Sequence, residues 1–245
     1  MLKGLVVTIL ATVIFCSLVF VILKSSLLLA PEGALAMSIR NHLAPSPVMR
    51  NMFGLHYDGD AKSDYLGEKY SNILVEVDFF GEGQNYRNQM EALAEKIEAA
   101  TGKHTQVLMS SRISALEDTL SDQELLQQKK LYQNQSSGGE KAIFYVLIVS
   151  LYQEEPELIG RTLEEDGVAV FLDAIDALGS GRDEIIISTL LHEFGHQLGL
   201  PHNSESRCLM NEQLEVGGAS RYQPDDFCAF EQKQISLIKQ SINNN

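Results

Sequence analysis

The chain has 245 residues and a mass of 27.2 kDa, enough for one domain of ordinary size with about 70 residues to spare. Hydrophobic residues make up 44% and charged residues 21%, which excludes a wholly disordered chain and a multi-span membrane protein. Acidic residues outnumber basic ones by 33 to 19, and the formal net charge is -14. This charge argues against nucleic acid as a partner, because a nucleic-acid-binding protein needs a basic face for phosphates.

The N-terminal segment contains a long apolar run. No charged residue occurs from 4 to 23, and a helix of that length, about 30 Å, matches the hydrocarbon core of a bilayer. We therefore expect a membrane anchor at 1–24, with the membrane as a partner. One alternative is a cleaved signal peptide, since Ala34-Leu35-Ala36 has the small-x-small form of a cleavage site. A buried core helix is the other alternative.

Residues 25–71 show no regular hydrophobic period. They hold three of the six prolines and the polar run 57–64. This composition is typical of a stalk or an irregular N-terminal wrap. We place the globular domain at 72–245.

The globular part alternates strand and helix patterns. The stretch 73–80 is β-branched and aromatic and predicts a buried strand, and the continuous apolar run 142–151 predicts a central strand covered on both faces. Apolar residues at helical spacing predict four helices, of which the second is the most polar. The predicted order is strand 73–80, helix 86–100, strand 106–109, helix 122–135, strands 142–151 and 167–172, and helices 183–198 and 225–242. This order indicates an α/β (α+β) domain with a mixed sheet and a helical C-terminal part.

The motif with the clearest chemistry lies on the third of these helices. His192 and His196 are four residues apart, so both imidazoles face the same side and can bind one ion. Gly199 can end the helix in a left-handed conformation and bring His202 back as a third ligand. Three protein ligands leave the fourth position of a catalytic zinc site for water. The simplest alternative, a histidine on a helix surface, accounts for His192 or His196 alone but not for the whole pattern.

The residue beside the first histidine completes the motif. Glu193 lies where its carboxylate can reach a zinc-activated water as the general base and later pass the proton to a leaving amine. Gly195 in mid-helix costs about 1 kcal/mol relative to alanine, so we expect another group to pack closely on its backbone. An alternative third ligand is a downstream acid, Glu212 or Glu215.

The pattern HExxHxxGxxH at 192–202 resembles the metzincin zinc metallopeptidases, whose second signature is a methionine in a tight turn beneath the metal. Met210 fits that Met-turn position. The closest resemblance is to the archaemetzincin family, which has a Cys-x-Met unit after the third histidine and a CxxC unit further on. Cys208 and Cys228 match two of that family's four cysteines, whereas Asn203 and Glu231 stand at the other two positions.

The two missing cysteines change what the resemblance implies. Four thiolates hold a structural zinc in archaemetzincins, but two thiolates, an amide and a carboxylate make a poor zinc site. The resemblance therefore implies one zinc per chain, and it brings Cys208 and Cys228 close enough for a disulfide. Two separate buried thiols are the alternative.

These observations predict a zinc metallopeptidase that hydrolyses peptide or protein substrates. The resemblance implies a metzincin-like twisted mixed sheet, an active-site helix, and an extended peptide bound along an edge strand near 168–172. With the anchor, it predicts a single-pass membrane protein with an extracytoplasmic catalytic domain, or a secreted one if the N-terminal segment is cleaved. The alternative function is a membrane-tethered zinc-binding module without peptidase activity.

Overall fold

The computed structural model describes residues 2–29, 39, 43, 46–53, 59–80, 86–113, 119–211 and 224–244. The chain divides into two compact units, Met1–Tyr57 and Asp58–Asn245. The helices are α1 (Leu2–Leu29), α2 (Pro47–Phe53), α3 (Lys62–Leu66), α4 (Arg87–Thr101), α5 (Asp122–Tyr132), α6 (Leu172–Ala177), α7 (Arg182–Gln197) and α8 (Ala229–Asn243). The strands are β1 (Asn72–Phe80), β2 (His104–Ile113), β3 (Thr119–Leu120), β4 (Lys141–Val149), β5 (Leu151–Tyr152), β6 (Gly160–Leu163) and β7 (Gly167–Phe171).

The structure corrects the membrane prediction. A helix that crosses a bilayer needs about 20 predominantly apolar residues. Within the ranges given above, no helix combines the length and the apolar character that this requires. The prediction of a single-pass membrane protein with an extracytoplasmic domain is therefore wrong, and the N-terminal transmembrane helix is not supported. The alternative cleavage site at 34–36 lies outside the described residues, and the domain boundaries after 24 and 71 stay a prediction.

A five-stranded sheet forms the centre of the second unit, in the order β2-β1-β4-β7-β6. The first four of these strands are parallel, whereas β6 runs antiparallel to β7. β4 is apolar and buried along nearly its whole length, and β1 is buried except at Asn72 although it also contains two buried carboxylates. Burial of this kind is typical of parallel strands in the interior of a sheet. The predicted mixed sheet is confirmed.

Helices α4 and α7 pack together on the sheet. α4 connects β1 to β2 and ends at Gly102, which has the left-handed conformation (φ 74°) that the predicted helix end requires. α7 also contacts β6 and β7. The ring of Phe194 on α7 lies edge-on to Phe144 on β4, with 4.9 Å between ring centroids. This core contact fixes the position of α7 over the sheet.

The predicted elements agree with the structure in type and order, with shifted ends. The second predicted helix ends at Tyr132, and the last helix begins at Ala229. The sequence prediction missed β6. This strand matters because it makes β7 an interior strand, so the prediction of an edge strand near 168–172 is wrong and the edge lies at β6.

Candidate metal centre

Helix α7 and the turn after it bring three histidines together. His192 and His196 lie on one face of the helix, and both are buried. The helix ends at Gln197, and Gly199 takes the left-handed conformation with φ 86°. The chain then turns back, and the ring of His202 lies 4.6 Å from that of His196 between centroids. The glycine that the sequence analysis singled out therefore makes the turn that returns the third histidine.

The three imidazoles converge through the same ring atom. The Nε2 atom of His202 lies 3.2 Å from Nε2 of His192 and 3.0 Å from Nε2 of His196. Zinc–nitrogen bonds of about 2.0–2.1 Å place the ligand atoms of a tetrahedral shell about 3.3–3.4 Å apart. The three nitrogens therefore fit one side of a tetrahedral zinc site after small adjustments, and the exposed side chain of His202 leaves this site open to solvent.

Hydrogen bonds fix the orientation of two of these rings. The Nδ1 atom of His192 lies 2.6 Å from the carbonyl oxygen of Leu209, and Nδ1 of His196 lies 3.0 Å from that of Leu200. A carbonyl oxygen only accepts, so each Nδ1 carries the proton and donates it. Each Nε2 then presents its lone pair to the common point, which is the arrangement that a metal-binding histidine requires.

Glu193 lies between α7 and the edge strand β6. Its side chain is buried, with 2% of its surface exposed. A Cβ atom added to Gly160 on β6 would lie 3.5 Å from Cγ of Glu193 and 2.4 Å from Cγ2 of Thr189. The absence of a side chain at Gly160 thus allows β6 to approach the helix where Glu193 stands.

Met210 packs directly on the backbone of Gly195. A Cβ atom at Gly195 would lie 2.4 Å from Sδ of Met210 and 3.1 Å from Cε1 of Phe227. Met210 is fully buried, and the helix residue it packs on, Gly195, lies between the two helical histidines, directly before His196. This contact explains the mid-helix glycine, and Phe227 is a second partner that no sequence pattern predicted.

The four positions that hold cysteines in archaemetzincins lie together here. Cys208 and Cys228 form a disulfide, and the side-chain amide of Asn203 donates to Oε1 of Glu231 at 2.9 Å. The ligand atoms of Cys208, Cys228 and Glu231 lie within 4.8 Å of one another. Their chemistry does not fit a second zinc, because the disulfide consumes both thiols and Glu231 accepts hydrogen bonds from N–H groups.

Several contributors to the site could not be named from the sequence. The backbone carbonyl groups of Leu209 and Leu200 accept from the histidine rings. Every residue type has such a carbonyl, so the identity of these two residues does not indicate the contact. The role of Gly160 depends on β6, which was missed. Glu231 did have a signal, since a glutamate three residues after Cys228 at a helix start is typical of a capping interaction. The alternative ligands Glu212 and Glu215 lie outside the described residues.

Comparison with solved structures identifies the fold. An archaemetzincin from Methanopyrus kandleri is 19% identical, with a TM-score of 0.51 over 69% of this chain and 96% of that chain. An archaemetzincin from Archaeoglobus fulgidus has 13% identity and a TM-score of 0.43, covering 66% of this chain and 99% of that chain. A zinc-dependent peptidase from Methanocorpusculum labreanum has 14% identity and a TM-score of 0.42, with the same two coverages.

The first of these comparisons confirms the resemblance to archaemetzincins at the level of the fold. The chain has an archaemetzincin-like metallopeptidase fold. No protein-family model and no curated protein matches the sequence.

Proposed function

We propose that this protein is a zinc-dependent metallopeptidase with one zinc bound by His192, His196 and His202. The observation that carries this proposal is the convergence of three Nε2 atoms, two of them on rings whose Nδ1 atoms donate to backbone carbonyls. The archaemetzincin-like fold supports it. Glu193 supports catalysis over metal storage, because binding zinc does not need this carboxylate.

The zinc, when bound, supplies the Lewis acidity that lowers the pKa of a water molecule and polarises a peptide carbonyl. Glu193 is the general base: it takes a proton from the attacking water and passes it to the leaving amine. Glu193 directly follows His192 on α7 and is buried, which supports this role. Met210 supports this arrangement from below by packing on Gly195.

The edge strand β6 is the place for an extended substrate. Within the described residues, β6 pairs with β7 on one side and with no strand on the other. A peptide that adds to this open side forms backbone hydrogen bonds and runs past Glu193, which lies against Gly160. The substrate class is therefore a peptide or an unfolded protein segment.

A substitution of the general base tests this proposal against a zinc-binding module without catalysis. We expect Glu193→Gln to abolish hydrolysis of a peptide library while zinc binding stays within about twofold of the wild type. Glu184→Gln is the matched control, because Glu184 lies on the same helix but is exposed in its first turn. Equal hydrolysis by the wild type and Glu193→Gln would contradict the assigned role, and a zinc-loaded wild type without activity would favour the binding module.

Metal analysis tests the number of zinc ions. We expect one equivalent of zinc per chain after dialysis, and His202→Ala should weaken its retention. Two equivalents retained by the wild type would contradict the proposed single site and the disulfide beside it.

A further inference from the structure

The Glu231 carboxylate accepts four hydrogen bonds beside the candidate metal centre. It lies in the first turn of α8 and is fully buried. Oε1 accepts from the side-chain amide of Asn203 at 2.9 Å and from the backbone N–H of Met210 at 2.6 Å. Oε2 accepts from the backbone N–H groups of Leu209 at 3.1 Å and Cys228 at 2.9 Å. Four N–H groups therefore surround one carboxylate.

Most of these donors lie outside the helix that Glu231 caps. Only Cys228 directly precedes α8. Asn203 follows the third histidine, and its own backbone N–H donates to the carbonyl of Met210 at 2.8 Å. Glu231 thus joins α8 to the segment after His202 and to the turn that contains Met210, so helix capping alone does not account for its contacts.

One peptide unit connects Glu231 to His192. The N–H of Met210 and the C=O of Leu209 belong to the same peptide group. The N–H donates to Glu231, and the C=O accepts from Nδ1 of His192. Hydrogen bonds in such a chain polarise one another, so a negative group at the N–H end strengthens the carbonyl as an acceptor. A stronger acceptor holds the imidazole ring more firmly and makes its Nε2 a better ligand.

We propose that Glu231 is a positioning residue for the zinc site, acting on His192 through the Leu209–Met210 peptide group and on the His202 segment through Asn203. This inference rests on the proposed zinc site. In archaemetzincins, four cysteines and a metal connect these segments. Here the Cys208–Cys228 disulfide and the four hydrogen bonds of Glu231 connect them instead.

The test compares two buried glutamates. Glu231→Gln keeps the size of the side chain but replaces one carboxylate oxygen by an NH2 group. An NH2 group only donates, so the two N–H groups that this oxygen accepted from lose their acceptor. Glu76→Gln is the matched control: Glu76 on β1 is also fully buried and accepts two backbone N–H groups, from Asn134 and Gln135 in the segment after α5. Zinc affinity is measured by competition with a chromogenic chelator, and the visible spectrum is recorded after loading with Co²⁺.

We expect Glu231→Gln to weaken zinc binding by about 10- to 100-fold and to alter the Co²⁺ spectrum, the usual size of an effect on a group that orients a metal ligand. Glu76→Gln should leave both unchanged even if it lowers the melting temperature. Wild-type affinity and spectrum in Glu231→Gln, or equal losses in the two variants, would overturn the inference.

A milder variant keeps the inference testable if Glu231→Gln does not fold. Asn203→Ala removes one of the four donors and should weaken zinc binding in the same direction by a smaller factor, whereas an unchanged affinity would contradict the proposal. If the wild type itself binds no zinc at this site, the proposed function fails. If the wild type binds zinc and all variants bind it equally, only the role of Glu231 fails.

Discussion

Gly59 lies directly against Gly199, the residue that turns the chain between the second and third histidines. A Cβ atom at Gly59 would lie 2.6 Å from Cα of Gly199, and both glycines have left-handed backbones with φ 81° and 86°. The segment that follows Gly59 also contacts α7, since the ring of Tyr65 packs on Phe194 with 5.1 Å between centroids. Burial raises the pKa of Tyr65 well above its usual value, and its neutral hydroxyl donates to the carbonyl of Ile143. Residues 59–66 therefore help to fix α7 and the turn to His202, which carry the candidate metal ligands.

We expect Gly59→Ala to weaken zinc binding. The left-handed backbone costs a non-glycine residue about 1–2 kcal/mol, and the new methyl group also pushes on Gly199 and displaces the turn to His202. Gly139→Ala is the matched control, because Gly139 has φ 58° but no atom within 4 Å of its added Cβ. Both variants should lose stability, and only Gly59→Ala should lose zinc affinity in a chelator competition. Equal affinities in the two variants would contradict the link from Gly59 to the site.

A lysine that contacts the same segment predicts that the stability of the protein depends on pH in the alkaline range. Lys103 donates to the backbone carbonyl of Asp64 at 2.8 Å; burial and the nearby charge of Lys239 lower its pKa to about 8. The unfolded chain, with a lysine pKa near 10.4, then binds more protons than the folded protein between these values. Stability relative to Lys103→Met should therefore rise by about 2 kcal/mol from pH 7.5 to pH 10, since each unit of pKa is worth about 1.4 kcal/mol and the shift spans about two units. Urea unfolding at both pH values measures this, and a constant difference would be evidence against the lowered pKa.

The contact between Gly195 and Met210 predicts that substitutions at these two positions have strongly non-additive effects on the free energy of unfolding. Gly195→Ala gains about 1 kcal/mol in helix propensity, but its methyl group would lie 2.4 Å from Sδ of Met210. Overpacking of this kind costs about 1–3 kcal/mol, so we expect a net loss of stability and weaker zinc binding. In a Met210→Ala background the contacts with Sδ and Cε are gone and only Cε1 of Phe227, at 3.1 Å, has to move, so the same substitution should cost much less stability. A double-mutant cycle by chemical denaturation measures the coupling, and additive effects would show that Met210 moves away without cost.

The sequence was sufficient where one local pattern determines the structure. The histidine spacing and Gly199 predicted the geometry of the three imidazoles because a helix places residues four apart on one face. The long apolar run at 142–151 predicted β4 because a parallel central strand is buried on both faces. The pairing of β1 with β2 followed from the helix between them.

The sequence was insufficient where a contact joins distant segments. β6 has four residues, of which Arg161 and Thr162 are half-buried, so it shows neither a long apolar run nor clear alternation. The polar run 57–64 gives no sign that Gly59 fits against Gly199. Glu231 was interpreted as a lost zinc ligand, because its donors Asn203, Leu209 and Met210 are more than 20 residues away along the chain.

Gly160→Ala tests the close approach of β6 to α7. The added methyl group would lie 2.4 Å from Cγ2 of Thr189, so the strand or the helix has to shift. We expect a loss of about 1–3 kcal/mol in stability and a lower kcat/KM for peptide hydrolysis, because Glu193 lies on the same face as Thr189. Thr189→Ser removes Cγ2, so the double variant should recover most of both losses, with Thr189→Ser alone as the control. Failure of this rescue would mean that the clash with Thr189 is not the cause.

The disulfide predicts a dependence on reductant that is independent of the zinc ligands. Cys208 and Cys228 are 20 residues apart, and the closed loop contains Met210. On the chain-entropy model, a loop of this length contributes about 3 kcal/mol to stability. Replacing both cysteines by serine should lower the melting temperature, and dithiothreitol should lower that of the wild type to the same value. Cys16→Ser is the control, since Cys16 is a free and exposed cysteine, and this variant should keep the wild-type response. Two results together would show that the bond does not form in solution: an unchanged melting temperature in dithiothreitol, and alkylation of both Cys208 and Cys228 in the native protein. The hydrogen bonds of Glu231 would then hold the Leu209–Met210 turn without the disulfide.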